Sequence, residues 1–262
     1  MDKNLYTNTA RFYDKGNEII NYDYDIDFYK SFVDLNTNVL ELGCGTGRIT
    51  LSLLDKCKHI TGIELSKQML GILQDKVNKL DKEQQNKIDL YNVDMSKFDL
   101  NQEFDLIIFP GITFQALTTI EQREYCLECA KKHLSQNGKI IIDLLKPDYN
   151  KVDNVGKTRL NYEYFDDEIG CIIKKYSVIE KHDREKQLHY MKYTFQLCKS
   201  NIVVEVIEDS FELSYLYEEQ ARALFVYSGL NVDSLYSWYD FTNGDKENKQ
   251  MLIYVLSKGN DN

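Results

Sequence analysis

Gly43, Gly45 and Gly47 fall at alternate positions between an apolar run and an amphipathic one in NVLELGCGTGRIT, residues 38–50. Glycine has no Cβ, so a turn built from it lets a ligand lie against the backbone. What lies there depends on what accompanies the turn. A phosphate-gripping loop ends in Lys followed by Ser or Thr, whereas here Gly47 is followed by Arg48 and Ile49. A dinucleotide fingerprint spaces its glycines G-x-G-x-x-G, and here the third glycine comes one residue early. Glu64, in GIEL, stands about 20 residues past the first glycine, where an acid holds ribose hydroxyls in nucleotide-binding units. A carboxylate accepts two hydrogen bonds at once, which suits a cis-diol. Asp94, in VDMSKF, is a second acceptor, suited to an exocyclic amine such as that of adenine.

These residues need elements to bring them together. Apolar strands are read at 37–42, 59–65, 87–94, 104–110 and 139–145, the last after a break at QNG, 136–138. Helices are read at 47–57, 66–80 with Ser66 as N-cap, and 123–134. Apolar strands alternating with helices imply a parallel sheet covered on both faces, with ligands at its carboxyl edge. From Thr158 to Leu213 the pattern becomes strand after strand, at 158–166, 171–180, 187–198 and 202–213, which reads as an antiparallel sheet. A helix at 218–229 and strands at 231–238 and 250–258 follow. Residues 1–36 read as two tyrosine-rich amphipathic helices joined around Asn21.

The net charge of −10 disfavours nucleic acid as a partner, because an acidic surface repels phosphate and the short KK pairs make no basic patch. No apolar stretch reaches membrane-span length, and the N-terminus has no signal-peptide core, so a cytoplasmic protein without membrane partners is expected. The six cysteines follow no framework spacing, and Cys126 and Cys129 have no second pair to complete a zinc site, so no metal is expected.

The segments VLELGCGTGRIT, ITGIELSKQML, VDMSKF, FDLII and LSQNGKIIID, in this order and spacing, resemble the class I S-adenosylmethionine-dependent methyltransferases. The resemblance is close over roughly residues 36–145 and looser over 218–258. It implies an α/β, Rossmann-like seven-stranded mixed sheet, its last strand antiparallel, with helices on both faces and an antiparallel β cap. It implies S-adenosylmethionine as cofactor. Gly43, Cys44, Gly45 and Gly47 would lie along the methionine and ribose, with Glu64 on the diol. Leu65, Met69 and Met95 would flank the adenine, with Asp94 on its amino group. Pro110 and Gly111 would border the methionine and its methyl, and Glu41 would make the surroundings acidic, which suits a sulfonium.

The acceptor is written less plainly. FPGITFQAL after the fourth strand lacks the Asn/Asp-Pro-Pro-aromatic signature of nucleobase and protein-glutamine N-methyltransferases. LYTNTARFYD, 5–14, resembles the tyrosine-bearing helix that lids the cofactor in small-molecule members, and the antiparallel strands resemble the cap of amino-sugar N-methyltransferases. Tyr6 and Tyr13 are then candidates to face the methyl, or are aromatic anchors for the terminal helix. His189 shares a strand face with Met191, Tyr193, Phe195 and Leu197. It is either a base or a histidine at the end of an apolar face. Phe114, Trp238 and Tyr239 are candidates to touch substrate, with plugging the sheet's edge as the alternative for Trp238.

The reading is therefore methyl transfer from S-adenosylmethionine to N or O of a small molecule, by a monomer or homodimer. A helical lid is expected at 1–36, a cofactor core at 37–150 and 215–262, and a β cap at 151–214. The alternatives are a protein or RNA methyltransferase, a cofactor-binding protein without transfer, and, more distantly, a nicotinamide dehydrogenase.

Overall fold

The computed structural model describes residues 6–147, 154–242 and 250–259. Residues 1–5 of the expected lid and 151–153 of the expected cap lie outside them. The chain forms two compact units, Met1–Tyr22 with Asp148–Ser214 and Asp23–Pro147 with Tyr215–Asn262.

The second unit is a seven-stranded sheet of order β10-β11-β5-β4-β1-β2-β3. Its strands are β1 Asn38–Leu42, β2 His59–Ile63, β3 Ile88–Tyr91, β4 Phe104–Phe109, β5 Leu134–Leu145, β10 Leu230–Tyr236 and β11 Met251–Lys258. β1 to β5 pair in parallel, and β11 is antiparallel to both β5 and β10. Both faces are covered, which is why the central strands read as unbroken apolar runs. Leu40 and Leu42 of β1 join Ile107 and Phe109 of β4 on one face, under α6 (Ile120–His133) and α7 (Glu218–Tyr227). Val39, Leu106 and Ile108 take the other face, with α2 (Ile26–Lys30), α3 (Arg48–Leu53) and α4 (Lys67–Val77). The period-two alternation therefore sends Glu41 and Asp143 toward the face that carries α2 and α3.

Several boundaries differ from the sequence reading, among them the end of α3, at Leu53 rather than 57. β3 stops at Tyr91 rather than 94. Asn92 ends it by turning its side-chain amide onto the carbonyls of Glu64 and Leu65 at 2.8 and 2.9 Å. QNG does not break the chain before β5. Phe104 pairs with Leu134 and Leu106 with Lys139, so residues 135–138 are extruded as an irregularity within the strand. β10 ends at Tyr236, which leaves Trp238 and Tyr239 on the turn beyond it. A short helix α5, Lys82–Gln85, was not anticipated.

The first unit carries the antiparallel sheet β6-β7-β8-β9, formed by Arg159–Asp166, Cys171–Asp183, Leu188–Lys199 and Ile202–Ser214. Its apolar cluster of Cys171, Ile173, Phe195 and Leu197 is completed by Phe12, which stacks on Phe195 at 4.6 Å just before α1 (Tyr13–Ile19). Asp209 of β9 anchors the same segment, accepting from the backbone N–H groups of Asn8 and Thr9 and from the Thr9 hydroxyl at 3.0, 2.8 and 2.7 Å.

Candidate active site

The glycine turn follows β1 directly. Gly43, Gly45 and Gly47 have φ of +76°, +56° and +88°, the left-handed region that a side chain rarely adopts. The N–H groups of Gly43 and Cys44 donate to the carbonyl of Ile63 at the end of β2, at 2.8 and 3.0 Å. A Cβ on Gly43 would lie 2.2 Å from Thr113, and one on Gly47 2.2 Å from Leu73, so those two glycines serve close packing. A Cβ on Gly45 would meet nothing within 4 Å. Gly45 thus leaves open space beside a bare backbone. Lys76 fixes the turn from α4 by donating to the carbonyl of Thr46 at 2.8 Å.

Glu64 lies beside it, just past β2. Its Oε2 accepts from the N–H of Gly45 at 2.9 Å and its Oε1 from that of Ser66 at 2.7 Å. Burial pushes its carboxyl up, and these backbone bonds pull the other way. A carboxylate has about four acceptor positions, so two bonds leave capacity for two hydroxyls. Ser66 caps α4 as expected, its hydroxyl accepting from the N–H of Met69 at 3.2 Å. Leu65 is 49% exposed, an apolar surface open at the strand end. Met69, read as an adenine contact, is 2% exposed on the inner face of α4 with Leu73 and Val77, and so offers a ligand almost no surface. Asp94 lies on the turn after β3, its Oδ1 accepting from the N–H and hydroxyl of Ser96, both at 2.8 Å. Met95 beside it is half-buried against the core.

Two buried acids lie on one face beneath these edges. Glu41 is 2% exposed and accepts from the Thr50 hydroxyl of α3 at 2.6 Å. Desolvation pushes its carboxyl up to about 8, although the Thr50 bond and the Arg48 charge oppose this. Burial, reinforced by Glu41 and Glu64, also holds Cys44 as a thiol. Asp143 of β5 accepts from the N–H groups of Gly111 and Ile112 at 3.1 and 2.9 Å, and from the hydroxyls of Tyr29 and Tyr239. Desolvation pushes it up to about 6. It fixes the loop after Pro110, where Gly111 and Ile112 have φ of +64° and +60°. For the β-branched Ile112 that conformation is strained, a feature that concentrates at ligand-binding loops. Gln115 secures the far side of the loop by accepting from the N–H of Leu145 at 2.6 Å.

Asp143 and the Arg48–Asp25 pair were absent from the sequence expectations. Arg48, the first residue of α3, grips the fully buried Asp25 with both terminal guanidinium nitrogens, at 2.5 and 2.7 Å. An acid inside the apolar run KIIIDLL was the available signal for Asp143. No local signal marks Asp25.

The substrate candidates separate. Phe114 is fully buried between Phe109 and Phe225, so the expectation of a substrate contact is corrected: it supports the loop from below. Tyr239 is 6% exposed with its hydroxyl on Asp143, and so positions the loop rather than facing a substrate. Trp238 stacks on Tyr24 at 5.1 Å. In the antiparallel unit, Tyr6 packs edge-on against Tyr13 at 5.5 Å and against Phe211 at 4.5 Å. His189 stacks on His182 at 4.6 Å, beside the β7–β8 hairpin turn.

Comparison with known proteins agrees with this geometry. Residues 39–138 match the methyltransferase domain family. A malonyl-[acyl-carrier protein] O-methyltransferase from Bacillus cereus is 33% identical over 102 residues, 38% of this chain and 34% of that protein. The chain thus matches about a third of the length of that curated relative. An S-adenosylmethionine-dependent methyltransferase from Clostridium acetobutylicum superposes with a TM-score of 0.76 at 21% identity, over 95% of this chain and 98% of that one. The sugar N-methyltransferase KedS8 from a Streptoalloteichus species superposes with a TM-score of 0.73 at 15% identity, over 99% of this chain and 94% of that one. The chain has the class I S-adenosylmethionine-dependent methyltransferase fold, with residues 39–138 matching the methyltransferase domain family and an added antiparallel sheet.

Proposed function

We propose that this protein transfers a methyl group from S-adenosylmethionine to nitrogen or oxygen of a small molecule. The observation that carries the reading is the Gly45–Glu64 pair: a left-handed glycine with open space where its Cβ would stand, its N–H held by an acid of the neighbouring strand. Gly43, Cys44, Gly45 and Gly47 would line the methionine and ribose, and Glu64 would take the diol. Leu65 and Met95 would flank the adenine, with Asp94 on its amine and Pro110 and Gly111 beside the methionine. When bound, the cofactor supplies an electrophilic methyl on a positively charged sulfur. The chain's task is then to align the acceptor and exclude water, which by itself accounts for a large part of the acceleration in such displacements. Asp143 holds the loop after Pro110 that would frame it, and Glu41 ties β1 to α3, the helix into which the glycine turn leads.

We assign cofactor binding to residues 37–150 and 215–262, and acceptor recognition to 1–36 and 151–214. Two features support a small acceptor: the net charge of −10, which disfavours RNA, and the likeness to a sugar N-methyltransferase. All six cysteines are free thiols, which fits a reducing compartment such as the cytoplasm. A second reading, an acceptor carried on a protein, is favoured by the similarity to a methyltransferase named for malonyl-[acyl-carrier protein]. The test is transfer of labelled methyl from S-adenosylmethionine into cell extract with and without its metabolites. Label that requires the metabolites supports the first reading, and label in protein the second. Cofactor binding without label in any fraction would overturn both.

A further inference from the structure

Lys175 lies on β7 in the antiparallel unit, its Nζ 4.3 Å from the centre of the Tyr193 ring, with Tyr162 at 5.5 Å and Phe195 at 5.8 Å. Neighbouring lysines of the sheet have carboxylates: Lys174 has Glu163 at 3.0 Å, and Lys192 has Glu180 at 3.2 Å. Lys175 has no carboxylate and no hydrogen-bond acceptor among the described residues. It borders a cavity of about 40 Å³ closed on one side by Tyr13 and Asn17 of α1. The Asn17 side-chain nitrogen is buried and also lacks a partner among the described residues.

Two donors, one of them cationic, therefore border one small space, and neither is bonded to an acceptor among the described residues. Leaving such groups unmet costs free energy that an apolar residue of the same shape would not incur. The rings compensate only in part, since a ring face attracts an ammonium but accepts no strong hydrogen bond. What completes the site is an oxygen-bearing anion small enough for the cavity. We propose that this cavity binds the carboxylate of a small organic acid, with Lys175 donating to one oxygen and Asn17 to the other. Burial pushes the Lys175 amine down to about 8, so a bound carboxylate would also restore its full charge. Tyr6, Tyr13, Tyr162 and Tyr193 are the titratable groups that line the cavity with it, and none is an anion at neutral pH. The proposal does not rest on the methyltransferase reading, because the cavity lies wholly within the antiparallel unit.

The experiment uses the full chain without cofactor. Acetate is titrated against chloride at constant ionic strength, reading the melting temperature and the NMR signal of the labelled Lys175 side chain. A saturable rise in melting temperature together with an upward shift of the Lys175 pKa is expected. Lys175→Met keeps the chain length and removes the charge. It should melt no lower than the parent without acetate and should bind acetate at least tenfold more weakly. Asn17→Ala should retain the lysine response with weakened affinity. An acetate response equal to that of chloride, or one unchanged in Lys175→Met, would overturn the site. So would a Lys175→Met protein that melts well below the parent, which would make the lysine structural. A stronger response to inorganic phosphate than to acetate would overturn the carboxylate assignment.

Discussion

The N–H of Gly45 donates to Oε2 of Glu64 at 2.9 Å, so a bond between these two residues holds the turn after β1 to the end of β2. The turn's shape and its acid are thus one unit rather than two independent contacts.

The contrast among the glycines gives the first prediction. Gly45→Ala should cost about 1–2 kcal/mol of stability for the left-handed backbone alone, because nothing stands near the added methyl. It should nevertheless abolish measurable cofactor binding, since the methyl takes the ligand's space. Gly43→Ala adds a contact of 2.2 Å with Thr113 and should destabilise the fold more than Gly45→Ala does. Urea denaturation paired with calorimetry checks both, and a Gly45→Ala protein that binds normally would remove the ligand from that space.

Glu64→Gln replaces one acceptor oxygen with an NH₂ group, which would face a backbone N–H of Gly45 or Ser66. S-adenosylmethionine binding should weaken by about 1–3 kcal/mol, because a buried acceptor is lost and a donor is set against a donor. Unchanged affinity in calorimetry would mean that Glu64 does not hold the diol.

Glu41 titrates at about 8 in the folded chain, against an ordinary value of 4.5. The folded state therefore keeps a proton that the unfolded chain releases, and stability falls as pH rises from about 4.5 through about 8. The slope approaches about 1.4 kcal/mol per pH unit within that window. Asp143 adds a fall of the same sign between 3.8 and about 6. Glu41→Gln keeps an acceptor for Thr50 and should flatten the upper part of the profile, making the variant the more stable protein at the alkaline end. Parallel stability profiles for the two proteins would sink this account.

Arg48→Met leaves Asp25 buried and uncompensated, which should cost about 3–5 kcal/mol. Adding Asp25→Asn should recover much of that loss, because the stranded charge disappears. Additive losses in a double-mutant cycle would show that the two groups do not depend on each other.

Local patterns made the outline legible. Strand after strand of apolar residues around Ile107 and Ile141 read as a sheet covered on both faces, and it is one. Gly43, Gly45, Gly47 and Glu64 were legible because a tight turn and a strand-end acid each leave a mark within a few residues. The caps were legible for the same reason: Ser66 bonds the N–H of Met69 as its position implies.

The sequence by itself determined that a glycine turn and two acids would meet at the carboxyl edge of a parallel sheet, because backbone conformation and strand alternation are local properties. Only the tertiary structure decided that Met69 and Phe114 turn inward while Leu65 stays open, since exposure depends on which helix packs over a residue. The partners of buried charge are likewise non-local. Asp25 meets Arg48 across 23 residues, and Asp143 meets Tyr29 across 114 and Tyr239 across 96. No spacing rule spans such separations. The pairs exist because a buried carboxylate must find donors, and the packed fold alone settles which donors lie within reach.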